Sequence, residues 1–186
     1  MSETELIELV QKGDSSAFSH LVESHKNLVF SVVLRMVSNR EDAEEVAQDA
    51  FIKAFKQIKQ FRGEAKFSTW LYKIAYFCAI NHLRKNKLLT TDLDQVSISS
   101  DDESILETLH NAEKKEYLTK AINLLKPIDK NLVSMYYLQE MSIKEIEEVT
   151  LFSPSNIKVK LMRIRKQLNG ILSALMKNEI EHFKKQ

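Results

Sequence analysis

Apolar residues recur three and four positions apart along most of this 186-residue chain and hardly ever alternate. That period belongs to the helix and not to the strand. TELIELVQK (4–12) is the first predicted helix, closed by Gly13 at the position just past a helix end. Residues 16–37 repeat the spacing and stop at Ser38-Asn39-Arg40. Within residues 40–61, Ala43, Val46, Ala47, Ala50, Phe51, Ala54 and Ile58 fall on one stripe, the core face of a third helix. Gly63 interrupts, and Ser68 is placed to cap a fourth helix from Thr69 to about Lys87. Further on, the pattern predicts helices over 116–125, over 129–139 after Pro127, over 141–150 and over 153–176.

Composition fits that reading. Three Gly and two Pro are too few for a turn-rich β protein, so the fold class is all-α. One cysteine, Cys78, excludes a disulfide framework, and its apolar helical setting predicts a buried free thiol. No basic-then-apolar leader opens the chain and no apolar run approaches the ~20 residues of a membrane span, so the expected setting is the cytoplasm.

The helical period lapses over TTDLDQVSISSDDESILE (90–107), which reads as a solvated linker. Two small helical domains then flank it, residues 1–89 and 108–176, with a short tail at 177–186. The net charge of +1 hides a strong partition. Residues 1–89 carry 13 Lys/Arg against 11 Asp/Glu, residues 90–107 carry six acids and no base, and residues 108–186 carry 14 bases against nine acids.

The clearest motif lies near the C-terminus. Ser142 and Glu145 have capping-box spacing, and Ser153-Pro154 is an N-cap followed by proline at the first helical position. Two helices meeting across Thr150-Leu151-Phe152 have helix-turn-helix dimensions. In the second helix Ile157, Leu161, Ile164 and Leu168 must face the core. Ser155, Val159, Met162 and Lys166 lie opposite, flanked by Lys158, Arg163 and Arg165. Residues 153–166 hold five cations and no acid. Such a face suits the major groove of DNA, and an ordinary solvated basic face is the plainer reading.

The N-terminal half carries an opposed pair of charge blocks. Glu41, Asp42, Glu44, Glu45 and Asp49 precede residues 53–87, which hold nine cations and one acid, Glu64. Helix-dipole preference explains acids in the first turn but not Asp49. An outward face of Glu45, Gln48, Asp49 and Ile52 therefore predicts a protein contact. After it, Phe61, Phe67, Trp70, Tyr72 and Tyr76 interleave with Arg62, Lys66 and Lys73. Cations to track a backbone and rings to stack on unpaired bases are what single-stranded nucleic acid requires. Trp70 and Tyr72 cannot share a helix face, so part of this set, Trp70 and Phe67 foremost, is expected in the core.

Three segments together resemble the extracytoplasmic-function (ECF) sigma factors. FRGEAKFSTWLYKIAYFCAINHLRK resembles their promoter-melting segment, and EDAEEVAQDAFIKAFKQIKQF the segment that docks on the RNA polymerase clamp. LKPIDKNLVSMYYLQEMSIKEIEEVTLFSPSNIKVKLMRIRKQL resembles their C-terminal helix-turn-helix. The resemblance implies a first domain that binds the clamp helices and opens the −10 element. It implies a second that reads the −35 element as duplex and contacts the polymerase flap. It places clamp docking on Glu45, Gln48, Asp49 and Ile52. It places −10 binding and melting on Phe61, Arg62, Gly63, Lys66, Phe67, Trp70, Lys73 and Phe77. It places −35 binding on Ile143, Lys144, Ser155, Lys158, Val159, Met162, Arg163 and Lys166. It implies no catalysis and no cofactor or metal, and an anti-sigma partner, commonly membrane-spanning.

The chain departs from the family pattern at four points. Phe77 stands where many relatives have Asn, Asn81 where Asp is frequent, Glu147 where Ala is usual, and Leu151 where Gly is common. Val159 and Met162 suit thymine methyls more than hydrogen-bonded readout.

Two other classes fit parts of the sequence. A helix-turn-helix regulator that never meets polymerase would not need the acidic 41–49 face. A carboxylate-bridged metal protein would use Glu107-x-x-His110 and Glu179-x-x-His182, but no inward partner glutamates accompany them.

Overall fold

The computed structural model describes residues 1–37, 39–87 and 111–183. Among the described residues there are eight α-helices and no strand: α1 (Glu3–Gln11), α2 (Ser16–Val37), α3 (Arg40–Gln57), α4 (Phe67–Lys87), α5 (Asn111–Asn123), α6 (Pro127–Val133), α7 (Ile143–Thr150) and α8 (Pro154–Phe183). The chain is all-α, as its periodicity predicts. The 90–107 linker and the Glu107–His110 pair lie outside the described residues. By their contacts the helices fall into two compact units, α1–α4 with α7 in one and α5, α6 and α8 in the other. Among the described residues no helix is long and apolar enough to cross a membrane.

In the first unit α2 is the central helix, packed on α1, α3 and α4. Val29, Val32 and Val33 of α2 are fully buried. The stripe on α3 is mostly alanine: Ala43, Ala50 and Ala54 are fully buried. With only a methyl on that face, α3 needs little room, and the bulk comes from Leu71, Tyr72 and Tyr76 of α4, each at most 2% exposed. Large against small is how helical faces fill space without voids. Phe51 is the exception on the stripe and is half-buried.

The helix ends follow local chemistry. Ser2 and Glu5 form a capping box at the start of α1. At its end Gly13 takes φ +109°, with Gly13 N–H donating to the Val10 carbonyl and Asp14 N–H to the Leu9 carbonyl, both at 3.0 Å. This pair of bonds is a Schellman turn, and the left-handed φ is why glycine stands there. The Asn39 side chain caps α3 by accepting from Glu41 N–H at 2.9 Å.

Four expectations need correcting. Residues 40–61 are not one helix: α3 ends at Gln57 and a 3₁₀ turn, Ile58–Gln60, follows, with Phe61 N–H bonded back to the Ile58 carbonyl. Ser68 is not a cap: α4 starts one residue earlier, and Thr69 and Trp70 both donate to the carbonyl of Lys66. Residues 129–139 are α-helical only to Val133. Ser134–Leu138 form a π turn closed by Gln139 N–H on the Ser134 carbonyl at 2.9 Å. The last helix does not stop at Met176 but continues to Phe183.

In the second unit α8 packs on α5 and α6. Ile157, Leu161, Ile164 and Leu168 are all buried, as their spacing requires, and Ile171 and Leu172 extend the stripe. On α6, which packs against α8, Leu132 and Val133 are also buried.

Candidate nucleic-acid and protein interfaces

The first candidate site grows out of α3. Glu45, Gln48, Asp49 and Ile52 are all exposed along one face, with Ile52 at 46%. An isoleucine this open on a stable helix has no structural reason to be apolar. Phe55, 42% exposed, extends the same face and was missed in the sequence. Its position three residues after Ile52 and seven after Gln48 was the available signal.

Beside this face runs a groove of about 770 Å³ between α2 and α3. Phe18, Val22, Phe30, Phe51, Ile52 and Phe55 line it. Phe18 and Phe55 pack with ring centroids 5.0 Å apart, and the Arg40 guanidinium lies 5.4 Å over the Phe30 ring. Apolar walls with a charged rim are the anatomy of a protein-binding surface. Periodicity along α2 says only that its apolar residues share helical spacing; the fold shows that Phe18, Val22 and Phe30 line an open groove.

Cys78 on α4 is half-buried, not fully buried as expected. Burial pushes its thiol above the usual range; the Lys53 ammonium opposes this and the Asp49 carboxylate adds to it.

The second candidate site is the loop between the 3₁₀ turn and α4. Gly63 has φ +72°, and a Cβ built there would meet nothing within 4 Å. Glycine is therefore required for backbone conformation and not for space. Arg62, Gly63, Glu64 and Lys66 are exposed. The Arg62 guanidinium is 4.0 Å from Glu64, an exposed pair that adds little stability.

Beneath the loop the rings form a rigid floor. Phe61 lies 5.5 Å from Phe67, edge-on at 84°, and 5.3 Å from Trp70; Phe67 and Trp70 are 5.5 Å apart. Edge-on and tilted pairs at these distances are the favoured aromatic geometry. Phe67 is 2% exposed, also edge-on to the His25 ring, so it supports the loop and offers no face to a ligand. Phe61 and Trp70 are half-buried and border an open cavity with Arg62, Glu64, Thr69 and Lys73. Phe77, one helical turn beyond Lys73, is half-buried, edge-on to Tyr76 with ring centroids 5.5 Å apart.

The third candidate site is the exposed face of α8, which the chain enters through the turn after α7. Thr150 Oγ1 donates to the Ile146 carbonyl at 2.7 Å and accepts from Phe152 N–H at 3.2 Å, turning the chain out of α7. Leu151 follows with φ +60°, the left-handed conformation its side chain disfavours. Ser153 Oγ accepts from Asn156 N–H at 3.4 Å, and Pro154 begins α8 as the sequence predicts. On α8, Ser155, Lys158, Val159, Met162, Arg163 and Lys166 are all exposed, Met162 at 51%. Lys144 at the start of α7 is exposed, Ile143 half-buried, and Glu147 half-buried where a small residue was expected.

Residues 21–88 match the family model for sigma-70 region 2, and residues 115–168 match that for sigma-70 region 4. The chain is 31% identical over 179 residues to the ECF RNA polymerase sigma factor SigW of Bacillus subtilis, covering 89% of this chain and 96% of that protein. It is 28% identical over 186 residues to the ECF RNA polymerase sigma-E factor of Haemophilus influenzae, covering 95% and 98%. Among solved structures, CnrH in complex with the cytosolic domain of CnrY superposes with a TM-score of 0.63 at 19% identity, covering 91% of this chain and 96% of that one, a likeness of fold.

Proposed function

The chain belongs to the ECF RNA polymerase sigma factors, and from that premise we propose how it divides the work of transcription initiation. It is an alternative sigma factor: it binds core RNA polymerase, directs it to particular promoters and opens the −10 element. The polymerase forms the phosphodiester bonds; this chain supplies promoter choice and strand opening.

Residues 1–89 carry polymerase binding and −10 opening, residues 90–107 tether, and residues 108–176 read the −35 element. On α3 the clamp helices meet Glu45, Gln48, Asp49 and Ile52, with the α2–α3 groove taking apolar side chains. In the loop, Arg62 and Lys66 hold the single-strand backbone while a base swings out against Phe61 and Trp70. A flipped base must recover its lost stacking, and exposed ring faces on a fixed floor provide that. On α8, Lys158, Arg163 and Lys166 contact phosphate or guanine while Val159 and Met162 meet thymine methyls. The resemblance to ECF factors also implies an anti-sigma partner that withholds the chain from polymerase in the cytoplasm, at the inner membrane where that partner spans it.

The observation that carries this reading is the exposed cationic loop held over a half-buried ring floor. A regulator that only binds duplex would have no use for it. Run-off transcription with core polymerase on genomic DNA tests it: discrete start sites sharing −10 and −35 elements are expected, and none would appear for a factor that never engages polymerase. On a promoter so recovered, Arg62→Ala or Lys66→Ala should reduce permanganate-detected opening roughly tenfold, the worth of one charge-assisted contact, while duplex binding stays near normal. Undiminished opening in both variants sinks the loop's role.

A further inference from the structure

Gln11 is the last residue of α1 and sits 47 positions before the turn it touches. Its side-chain amide donates to the carbonyl of Ile58 and to that of Phe61, each at 2.9 Å. A carboxamide has two N–H bonds, and both are used. The two carbonyls bracket the exit of α3 through its 3₁₀ turn: that of Ile58 also accepts from Phe61 N–H at 3.1 Å, and that of Phe61 lies just past the turn. The donor itself is well anchored, because the Schellman turn at Gly13 fixes the end of α1 immediately after it.

What this pair of hydrogen bonds holds is the start of the loop. Phe61 leaves the turn with extended backbone, φ −71° and ψ 116°, and its ring packs on Phe67 and Trp70. Arg62 and Gly63 come next. With the Phe61 carbonyl free, the chain could leave the turn in other directions and carry Arg62 off its course. Helix α1 thus reaches across the sequence to fix the loop's root. Between α1 and the loop lies a cavity of about 370 Å³, so direct packing does not do this alone.

We propose that Gln11 is a positioning residue for strand opening, α1 serving as a splint that sets the loop's trajectory. The inference rests on the reading that this loop opens promoters. Gln11 touches no DNA in it, so the effect should fall on opening and not on polymerase or duplex binding.

Three variants separate chemistry from bulk. Gln11→Met keeps length and loses both donors. Gln11→Glu keeps shape and turns a carboxylate onto two carbonyls. Gln11→Lys keeps donors at similar reach. Each is reconstituted with core polymerase on a promoter recovered by run-off transcription, and opening is read by permanganate. A loop root displaced by an ångström should cost Met and Glu roughly 10- to 100-fold in opening, with Lys staying within about threefold of wild type. Trp70 is the only tryptophan and lies 5.3 Å from Phe61, so its emission should shift in Met and Glu and not in Lys. Thermal melting and polymerase pull-down accompany each variant. Wild-type opening in Met and Glu overturns the proposal, as does a Lys variant as poor as Met. Loss of polymerase binding in step with opening also overturns it, leaving Gln11 a purely structural residue. Arg62→Ala runs in parallel: if it opens normally the loop reading fails and this inference with it, whereas impaired Arg62→Ala beside normal Gln11→Met fails this inference alone.

Discussion

Lys130 on α6 is 8% exposed, an unusual place for an ammonium, and burial pushes it below the ordinary lysine range. The charged form is the one that burial penalises. Above the ordinary lysine value of ~10.4 both folded and unfolded chains hold it neutral, and no penalty exists. As pH falls through the unfolded and then the lowered folded value, the penalty grows to its full size. Lys130→Met keeps most of the stem's packing and removes the charge. It should stabilise the chain by about 1 kcal/mol at pH 7, and the gain should vanish as pH rises past the lysine range. Urea titrations followed by ellipticity at the two pH values check this; a less stable Met variant at pH 7, or a gap unaffected by pH, contradicts it. No pattern in the sequence marks Lys130 as buried, because its charge says the opposite. The same limit applies to Cys78 and Phe67. An apolar helical run says only that these side chains turn inward, and whether inward means half-buried or sealed depends on the neighbouring helix. On α8 the four core positions from Ile157 to Leu168 and the open face opposite them were read as they stand, since a cleanly divided helical face determines both.

Elements were legible where a single local device defines their ends. Gly13 and Ser153 each act through bonds to residues within four positions; Gly13 closes α1 and Ser153-Pro154 opens α8, as read. Ends set by tertiary context were misplaced. The 3₁₀ turn after α3 accepts a hydrogen bond from Gln11, which lies far away in sequence. α4 starts at Phe67, whose ring packs on Phe61 and Trp70, one residue before the better cap, Ser68. Leu151 is the informative case, because glycine is common there in relatives and φ is +60° here. Leucine in that conformation is strained, and at 66% exposure its side chain repays little through burial. Leu151→Gly should therefore stabilise the α7–α8 turn by roughly 0.5–1 kcal/mol, the relief of left-handed strain net of glycine's extra freedom in the unfolded chain. Thermal melting of the full chain measures it. A fall in melting temperature would mean that Leu151 makes contacts worth more than its strain.

For the whole molecule the telling feature is separation of tasks. The α3 face and the α8 face stand on different packing units, each with its own buried stripe. A net charge of +1 conceals this, because the acids of residues 41–49 and 90–107 and the cations of the flanking segments cancel in the sum. Charge blocks along the sequence revealed the division; the groove between α2 and α3 did not show, since it exists only when two helices are brought together. If the tasks are separable, damage to one face should leave the other working. Ile52 is the sharpest probe: it is open, apolar and central to the α3 face, so Ile52→Glu changes the surface and spares the core. The variant should keep its melting temperature and its binding to −35 duplex. Its affinity for core polymerase should fall roughly 10- to 100-fold, the usual cost of losing a central apolar anchor. Pull-down with core polymerase and duplex gel shift, run on the same preparation, read both halves. Polymerase binding that survives Ile52→Glu would move the docking face off α3. A parallel loss of −35 binding would show that the two units do not act independently.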